Sequence, residues 1–140
     1  MHSILRVICL GSWQGSDATA WVLADGLEEL VGADIEIYRC ASPAQMLELI
    51  KPDAVVYIID ATPDLPCGQM AEIARDDLRH APHCSSHGVD LLAALNLLDA
   101  LGDTPRALHI LALGVGTCGV PPEAIADQVL PEVLERFREG

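Results

Sequence analysis

Three residues of this 140-residue chain carry side chains that bind metal ions, and each stands at the boundary of a predicted strand or helix. Asp17 comes shortly after the first predicted strand, and Asp60 ends the central one. His87 lies in the segment Cys84-Ser85-Ser86-His87-Gly88, directly before an apolar run from Val89 to Leu101. Two carboxylates and one imidazole, with water completing the shell, suit a divalent ion such as nickel or zinc. Such an open shell permits water activation or the capture of an ion carried by another molecule.

Each of these residues also has a purely structural interpretation. A carboxylate at the position of Asp60 can accept backbone N–H groups and cap a loop, and one at Asp17 is favoured by the dipole of the helix that follows. An isolated histidine such as His87 is more often structural than a ligand. The hypothesis of a metal site therefore depends on all three residues meeting at one place.

Composition restricts the classes of protein to consider. Hydrophobic residues make up 51% of the chain and charged residues only 21%, which predicts a single packed domain over residues 1–140 rather than a disordered chain. Twenty-one acidic residues against eight basic ones give a net charge of −13. This charge repels a phosphate backbone, so we expect no nucleic-acid binding, and it favours a basic partner or a cation.

The five cysteines are scattered and form no C-x-x-C pair. Their spacing argues against a disulfide framework and a zinc knuckle and predicts reduced thiols, with Cys9 filling the core. No apolar run is long enough for a secretion signal or a membrane span. We therefore expect a cytoplasmic protein that does not associate with membranes.

Strand and helix patterns alternate along the chain and predict a three-layer α/β domain with a mostly parallel sheet. Ligands bind at the carboxyl ends of the strands in such sheets, where all three candidate residues can lie. The predicted strands are Ile4–Leu10, Asp34–Cys40, Ala54–Ile59, a short one at Gln69–Ile73, and Ala107–Gly114. The predicted helices are one capped by Ser16 and closed by Gly32, then Ala44–Ile50, 88–101 and a final one from Pro122.

Other kinds of site are disfavoured by the motifs they require. The loop from Gly11 to Gly15 lacks the G-x-G-x-x-G spacing and a lysine, which argues against a nucleotide site. Ser85 and Ser86 are not part of a G-x-S-x-G elbow, so helix capping explains them better than serine hydrolysis. Trp13 in the first loop either contacts a peptide or packs on its own domain.

At these motifs the chain resembles the hydrogenase maturation proteases, which trim the C-terminus of nickel–iron hydrogenase large subunits. The resemblance runs over nearly the whole length and rests on the order of short segments. Gly11-Ser12 with Gly15-Ser16-Asp17 is similar to the family's opening G-N…G-D-D/E, and Asp60-Ala61 with Pro66-Cys67-Gly68 to its D-A and later P-G. Ser85-Ser86-His87-Gly88 matches S-x-H-G, and Ile110–Gly114 followed by Pro122-Glu123 is similar to the closing strand and helix.

The resemblance implies a fold, an activity and a site. The fold would be an α/β/α sandwich, phosphorylase/hydrolase-like, on a five-stranded sheet with one antiparallel strand, which suits Gln69–Ile73. The activity would be that of a nickel-dependent endopeptidase, of aspartic or metallo type, acting on a large-subunit precursor after nickel insertion. Asp17, Asp60 and His87 would be its catalytic and metal-binding residues, recognising nickel presented by the substrate, with no organic cofactor.

The chain departs from the family pattern at three places, and two of these departures, at Ser16 and Arg39, motivate a rival. Ser12 stands where asparagine is usual, Ser16 replaces the first acidic residue, and Arg39 to Ser42 occupies the place of a D-G-G-T segment. The rival is a non-catalytic α/β relative that acts as a binding or assembly module for the precursor. A flavodoxin-like carrier shares the coarse topology but lacks phosphate-loop chemistry.

Overall fold

The computed structural model describes residues 5–78, 88–116 and 119–139. Strands and helices alternate along these residues, with three short 3-10 turns between them. The strands are β1 (Leu5–Leu10), β2 (Ile35–Cys40), β3 (Val55–Thr62), β4 (Met70–Ile73) and β5 (Ala107–Gly114). The helices are α1 (Ala18–Leu30), α2 (Gly88–Leu101) and α3 (Pro122–Glu139), and the 3-10 turns are Gly15–Asp17, Pro43–Glu48 and Arg75–Leu78.

The five strands form one mixed sheet in the order β2-β1-β3-β5-β4. All neighbouring strands are parallel except β4, which runs antiparallel to β5 at the edge. The sheet confirms the predicted α/β fold, including the short strand expected at Gln69–Ile73. It also matches the five-stranded sheet with one antiparallel strand that the family resemblance implies.

Alternation along the central strands separates the core into two layers, one on each face of the sheet. Val7 and Cys9 of β1 point to the face that α1 and α3 cover. Ile8 and Leu10 point to the opposite face, which α2 and the 3-10 turn Pro43–Glu48 cover. The central strands are therefore buried on both sides, as their nearly continuous apolar sequence predicts.

Most element boundaries agree with the prediction to within two residues, but three features differ in a way that matters for the site. The segment predicted as helix Ala44–Ile50 is the 3-10 turn Pro43–Glu48, since a run this short gains little from α-helical hydrogen bonds. The central strand is predicted as Ala54–Ile59 with Asp60 at its end, but pairing with β5 extends β3 to Thr62 and places Asp60 inside the strand. α1 begins at Ala18, so that Asp17, and not Ser16, stands at its cap position.

The cysteines that the structure describes are not all in the same state. Cys9 and Cys40 are free and buried, as predicted for Cys9. Cys67 is disulfide-bonded, so the expectation of reduced thiols is wrong at this residue. Spacing along the chain could not reveal this, because a disulfide depends on which sulfurs the fold brings together.

Among the helices of the described residues, none combines the length and the apolar character needed to cross a membrane.

Candidate active site

Asp60 lies in the centre of the sheet, near the carboxyl end of β3. Its neighbours in register are Leu10 of β1 and Ala112 of β5. Only 3% of Asp60 is exposed. Because side chains alternate along a strand, Asp60 shares the face of Val56 and Ile58, which is the face covered by α2. A carboxylate this buried is stable only where hydrogen bonds or a cation compensate for its lost hydration.

Asp17 is the last residue of the 3-10 turn before α1, and it is exposed. Its side chain makes no capping hydrogen bond to the helix. Its backbone is fixed instead, because the Ser12 N–H donates to the Asp17 carbonyl oxygen at 3.3 Å. Asp17 is therefore held at the surface by its backbone, and its carboxylate does not cap the helix.

The topology brings Asp17 and Asp60 to the same edge of the sheet, namely the one formed by the carboxyl ends of its parallel strands. From β1 the chain crosses to β2 on one side and later returns to β3 on the other, so β1 and β3 flank the switch point. Asp17 stands seven residues after Leu10, the residue of β1 that pairs with Asp60. Ligands of open α/β sheets bind in the crevice at such a point. Asp17 therefore follows β1 and Asp60 lies near the end of β3, at the carboxyl ends of the parallel strands, and their role as ligands stays a prediction.

Helix α2 begins at this same edge. Its last residue, Leu101, is followed by a short connection to Ala107, the first residue of β5, so its first residue, Gly88, lies toward the carboxyl ends of the parallel strands. A cavity of about 290 Å³ agrees with this direction, because it joins Asp90 in the first turn of α2 to Ser42, which follows the end of β2. The start of α2 therefore lies on the face to which Asp60 points.

The third predicted ligand, His87, lies outside the described residues, directly before Gly88. Within residues 5–78, 88–116 and 119–139, no group of three His, Cys, Asp or Glu side chains is placed to hold a metal ion. The set of Asp17, Asp60 and His87 therefore stays a prediction, as does its metal. The described residues provide two carboxylates at the predicted edge and a helix that starts there.

Helix α2, which follows His87, is anchored to the 3-10 turn Arg75–Leu78, which precedes His87. Arg75 donates to Asn96 Oδ1 at 2.7 Å and to Asp99 Oδ2 at 2.6 Å, both on α2. Leu78, at the end of the same 3-10 turn, is buried in the core layer beneath α2. Leu78 and helix α2 are thus both held against the same face of the sheet.

Several residues that shape this end of the sheet carry no functional signal in the sequence. Thr62 is fully buried, and its hydroxyl accepts the Asp64 N–H at 3.2 Å, which fixes the chain after β3. Thr19 is also fully buried, and its hydroxyl has no hydrogen-bond partner among the described residues. At the end of β5, a Cβ on Gly114 would overlap the Pro66 carbonyl oxygen, so glycine lets the loop after β3 pack there. Such close approaches depend on the tertiary fold.

Arg39, at one of the departures from the family pattern, has a structural role. Its guanidinium donates to Asp25 and Glu28, both on α1, and so connects the end of β2 to that helix. Arg39 therefore uses its charge within the domain rather than presenting it to a partner.

Of the comparisons with known proteins, only the one with solved structures gives matches. No family model matches this sequence, and no curated protein matches it significantly. Solved structures do match over almost the full length. The hydrogenase maturating endopeptidase HybD of E. coli has a TM-score of 0.74 at 20% identity, covering 97% of this chain and 93% of that protein.

This chain has the fold of the hydrogenase maturation endopeptidases. Two proteins of Thermococcus kodakarensis agree with this assignment. The hydrogenase maturation protease HybD has a TM-score of 0.67 at 16% identity, covering 96% of this chain and 98% of that one. The hydrogenase maturation protease HycI has a TM-score of 0.66 at 21% identity, covering 99% and 94%.

Proposed function

We propose that this protein is an endopeptidase that removes the C-terminal extension of a nickel–iron hydrogenase large-subunit precursor after nickel insertion. The observation that carries the proposal is the position of Asp17 and Asp60 at one edge of the sheet, on either side of its switch point, in an endopeptidase fold. Acidic side chains at this place are suited to a substrate that carries a cation.

In the proposed reaction nickel is part of the substrate. The carboxylates of Asp17 and Asp60 and the imidazole of His87 would bind the nickel ion that the precursor presents, and the peptide bond to be cut would be held beside it. A metal ion near that bond polarises its carbonyl group or acidifies a bound water molecule. The residues supply position and negative charge, and no general base is assigned to any of them.

The two aspartates have different parts in this proposal. Asp60 is buried and its position is set by strand register, so it would provide a fixed oxygen ligand. Asp17 is exposed, so an incoming precursor would meet it at the surface. His87 would approach from the start of α2, on the same face as Asp60.

The test uses purified protein and a nickel-loaded large-subunit precursor from the same genome. Mass spectrometry of the products should show the loss of a C-terminal peptide. Asp17→Asn and His87→Ala should each abolish trimming, while their thermal unfolding stays close to that of the wild type. Processing at the wild-type rate by either variant would reject the site.

The same experiment separates the endopeptidase from the non-catalytic relative. Ser16, which replaces an acidic residue of the family pattern, favours that alternative. A binding or assembly module would form a stable complex with the precursor and leave its mass unchanged. Release of a peptide of defined mass supports the endopeptidase instead.

A further inference from the structure

One of the two tryptophan side chains near the candidate site is mostly exposed to solvent. Trp13 lies in the loop between β1 and α1, and 60% of its surface is accessible. Exposed tryptophan is uncommon in a folded domain, because burying the indole removes a large apolar area from water. Tryptophan is also the residue type most enriched among the side chains that dominate binding interfaces.

The Trp13 ring is held in place by a second tryptophan. The edge of one ring meets the face of the other, with Trp13 and Trp21 centroids 5.2 Å apart and an interplanar angle of 79°. The indole N–H of Trp21 donates to the Cys9 carbonyl oxygen at 3.1 Å, which ties Trp21 to β1. Trp13 therefore presents an ordered apolar surface rather than a freely moving side chain.

The position of Trp13 connects it to the candidate site. Its loop begins at Gly11, directly after the residue of β1 that pairs with Asp60, and leads to Asp17 four residues beyond Trp13. From Gly11 to Asp17 the sequence has no Lys or Arg and only one ionised side chain, that of Asp17. The ring thus offers a neutral, apolar contact next to the acidic edge.

We infer that Trp13 contacts the precursor segment next to the bond that is cut, with an apolar side chain of that segment lying on the indole. The inference rests on the proposed function and adds a substrate-binding residue to it. Trp13 would contribute to binding of the precursor and not to bond cleavage. Its loss should therefore raise KM and leave kcat unchanged.

The test compares three variants in trimming of the nickel-loaded precursor. Trp13→Ala should raise KM about tenfold, the effect of losing one strong interface contact. Trp13→Phe keeps an aromatic ring and should restore most of the affinity. Leu101→Ala is the matched control, because Leu101 is 61% exposed but lies at the opposite edge of the sheet, and its KM should equal that of the wild type.

Fluorescence gives a second readout, since Trp13 and Trp21 are the only tryptophans of the chain. Mixing the wild type with precursor should change the emission, and Trp13→Phe, which retains Trp21, should lose most of that change. An unchanged KM for Trp13→Ala, or a fall in kcat alone, would overturn the inference while the endopeptidase proposal stands. If the wild type binds precursor without cutting it, the proposed function fails, and weaker binding by Trp13→Ala would still support the contact.

Discussion

Gly11 lies directly against the backbone carbonyl oxygen of Asp17. A Cβ atom on Gly11 would stand less than 3.0 Å from that oxygen and 3.3 Å from Cδ1 of Trp21. Gly11 is not among the glycines with positive φ, so its backbone conformation is open to other residues and only the missing side chain matters. This contact sets the distance between the end of β1 and the exposed carboxylate of Asp17.

Gly11→Ala should therefore displace Asp17. Overpacking against the backbone should lower the free energy of unfolding by about 1–3 kcal/mol, and trimming should fall further than this loss explains because the carboxylate moves. Thermal unfolding and the trimming rate, measured on the same preparation, check the prediction. An alanine variant with both wild-type stability and wild-type activity would contradict it.

Gly26→Ala is a second glycine substitution, and its expected effect on stability is the opposite of that of Gly11→Ala. Gly26 lies in the middle of α1, and a Cβ there would meet Leu130 at 3.5 Å, an ordinary contact. Alanine loses less conformational freedom in a helix, so the variant should be more stable by about 0.5–1 kcal/mol. Urea unfolding should show a higher midpoint with unchanged trimming, and a lower midpoint would show that the contact with Leu130 is tighter than it looks.

Asp60→Asn tests the buried carboxylate, with a substitution at an exposed aspartate as the control. Asp53 is exposed and precedes β3, at the opposite end of the strand from Asp60. Because losing even a supporting residue of a metal site costs about 10–100-fold, Asp60→Asn should reduce trimming on the order of 10²-fold or more. Asp53→Asn should trim like the wild type. Equal rates in the two variants would remove Asp60 from the site.

The pair of Arg75 and Asp99 should make stability depend on pH. Hydrogen bonds from Arg75 and then from Thr104 hold the pKa of Asp99 below its ordinary value of 3.8. A lowered pKa in the folded state stabilises it above pH 3.8, and this contribution disappears as the pH falls through the folded value. Asp99→Asn should therefore unfold more easily than the wild type at pH 6, with the difference fading as the pH falls below the ordinary value of 3.8.

Arg75→Gln removes the other partner and serves as the check on this explanation. It should show the same pH pattern in urea unfolding, since the carboxylate of Asp99 then loses its main donor. A difference between Asp99→Asn and the wild type that persists unchanged into strong acid would mean that the variant acts through packing and not through charge.

The buried thiols should be inert. Burial raises the pKa of Cys9 to about 12 and that of Cys40 to about 11. At pH 8 both thiols are therefore protonated as well as inaccessible, and the thiolate is the form that reacts. A maleimide should leave them unlabelled in the folded protein and modify them in urea, as peptide mass mapping can measure. Rapid labelling of Cys9 before unfolding would contradict its place in the core.

The sequence predicts which segments form strands and helices better than it predicts their local backbone geometry. The apolar run before Asp60 indicated a central strand, because burial on both faces leaves a readable pattern. That β3 continues to Thr62 could not be read locally, since the extension depends on pairing with Gly114 of β5. Pro43 likewise marked the start of a helical segment but not its 3-10 form, which depends on how the short connection packs.

For the candidate site, the residue types indicated the chemistry and the alternation of strands and helices indicated the edge. The sequence could not show that Asp60 is buried while Asp17 is exposed, because the difference arises from strand register and from the approach of Gly11. The contact between Trp13 and Trp21 was equally hidden, since the two residues meet only when α1 folds back over β1. The place of His87 relative to the two aspartates stays a prediction.

The central claim is that Asp17, Asp60 and His87 bind one cation, and a crystal structure with nickel answers it most directly. Crystals of the protein soaked with Ni²⁺ and measured at the nickel absorption edge should show one anomalous peak within about 2.0–2.2 Å of an oxygen of each aspartate and of an imidazole nitrogen. The three side chains turned away from each other, or a nickel ion bound elsewhere with none of them as ligands, would contradict the account.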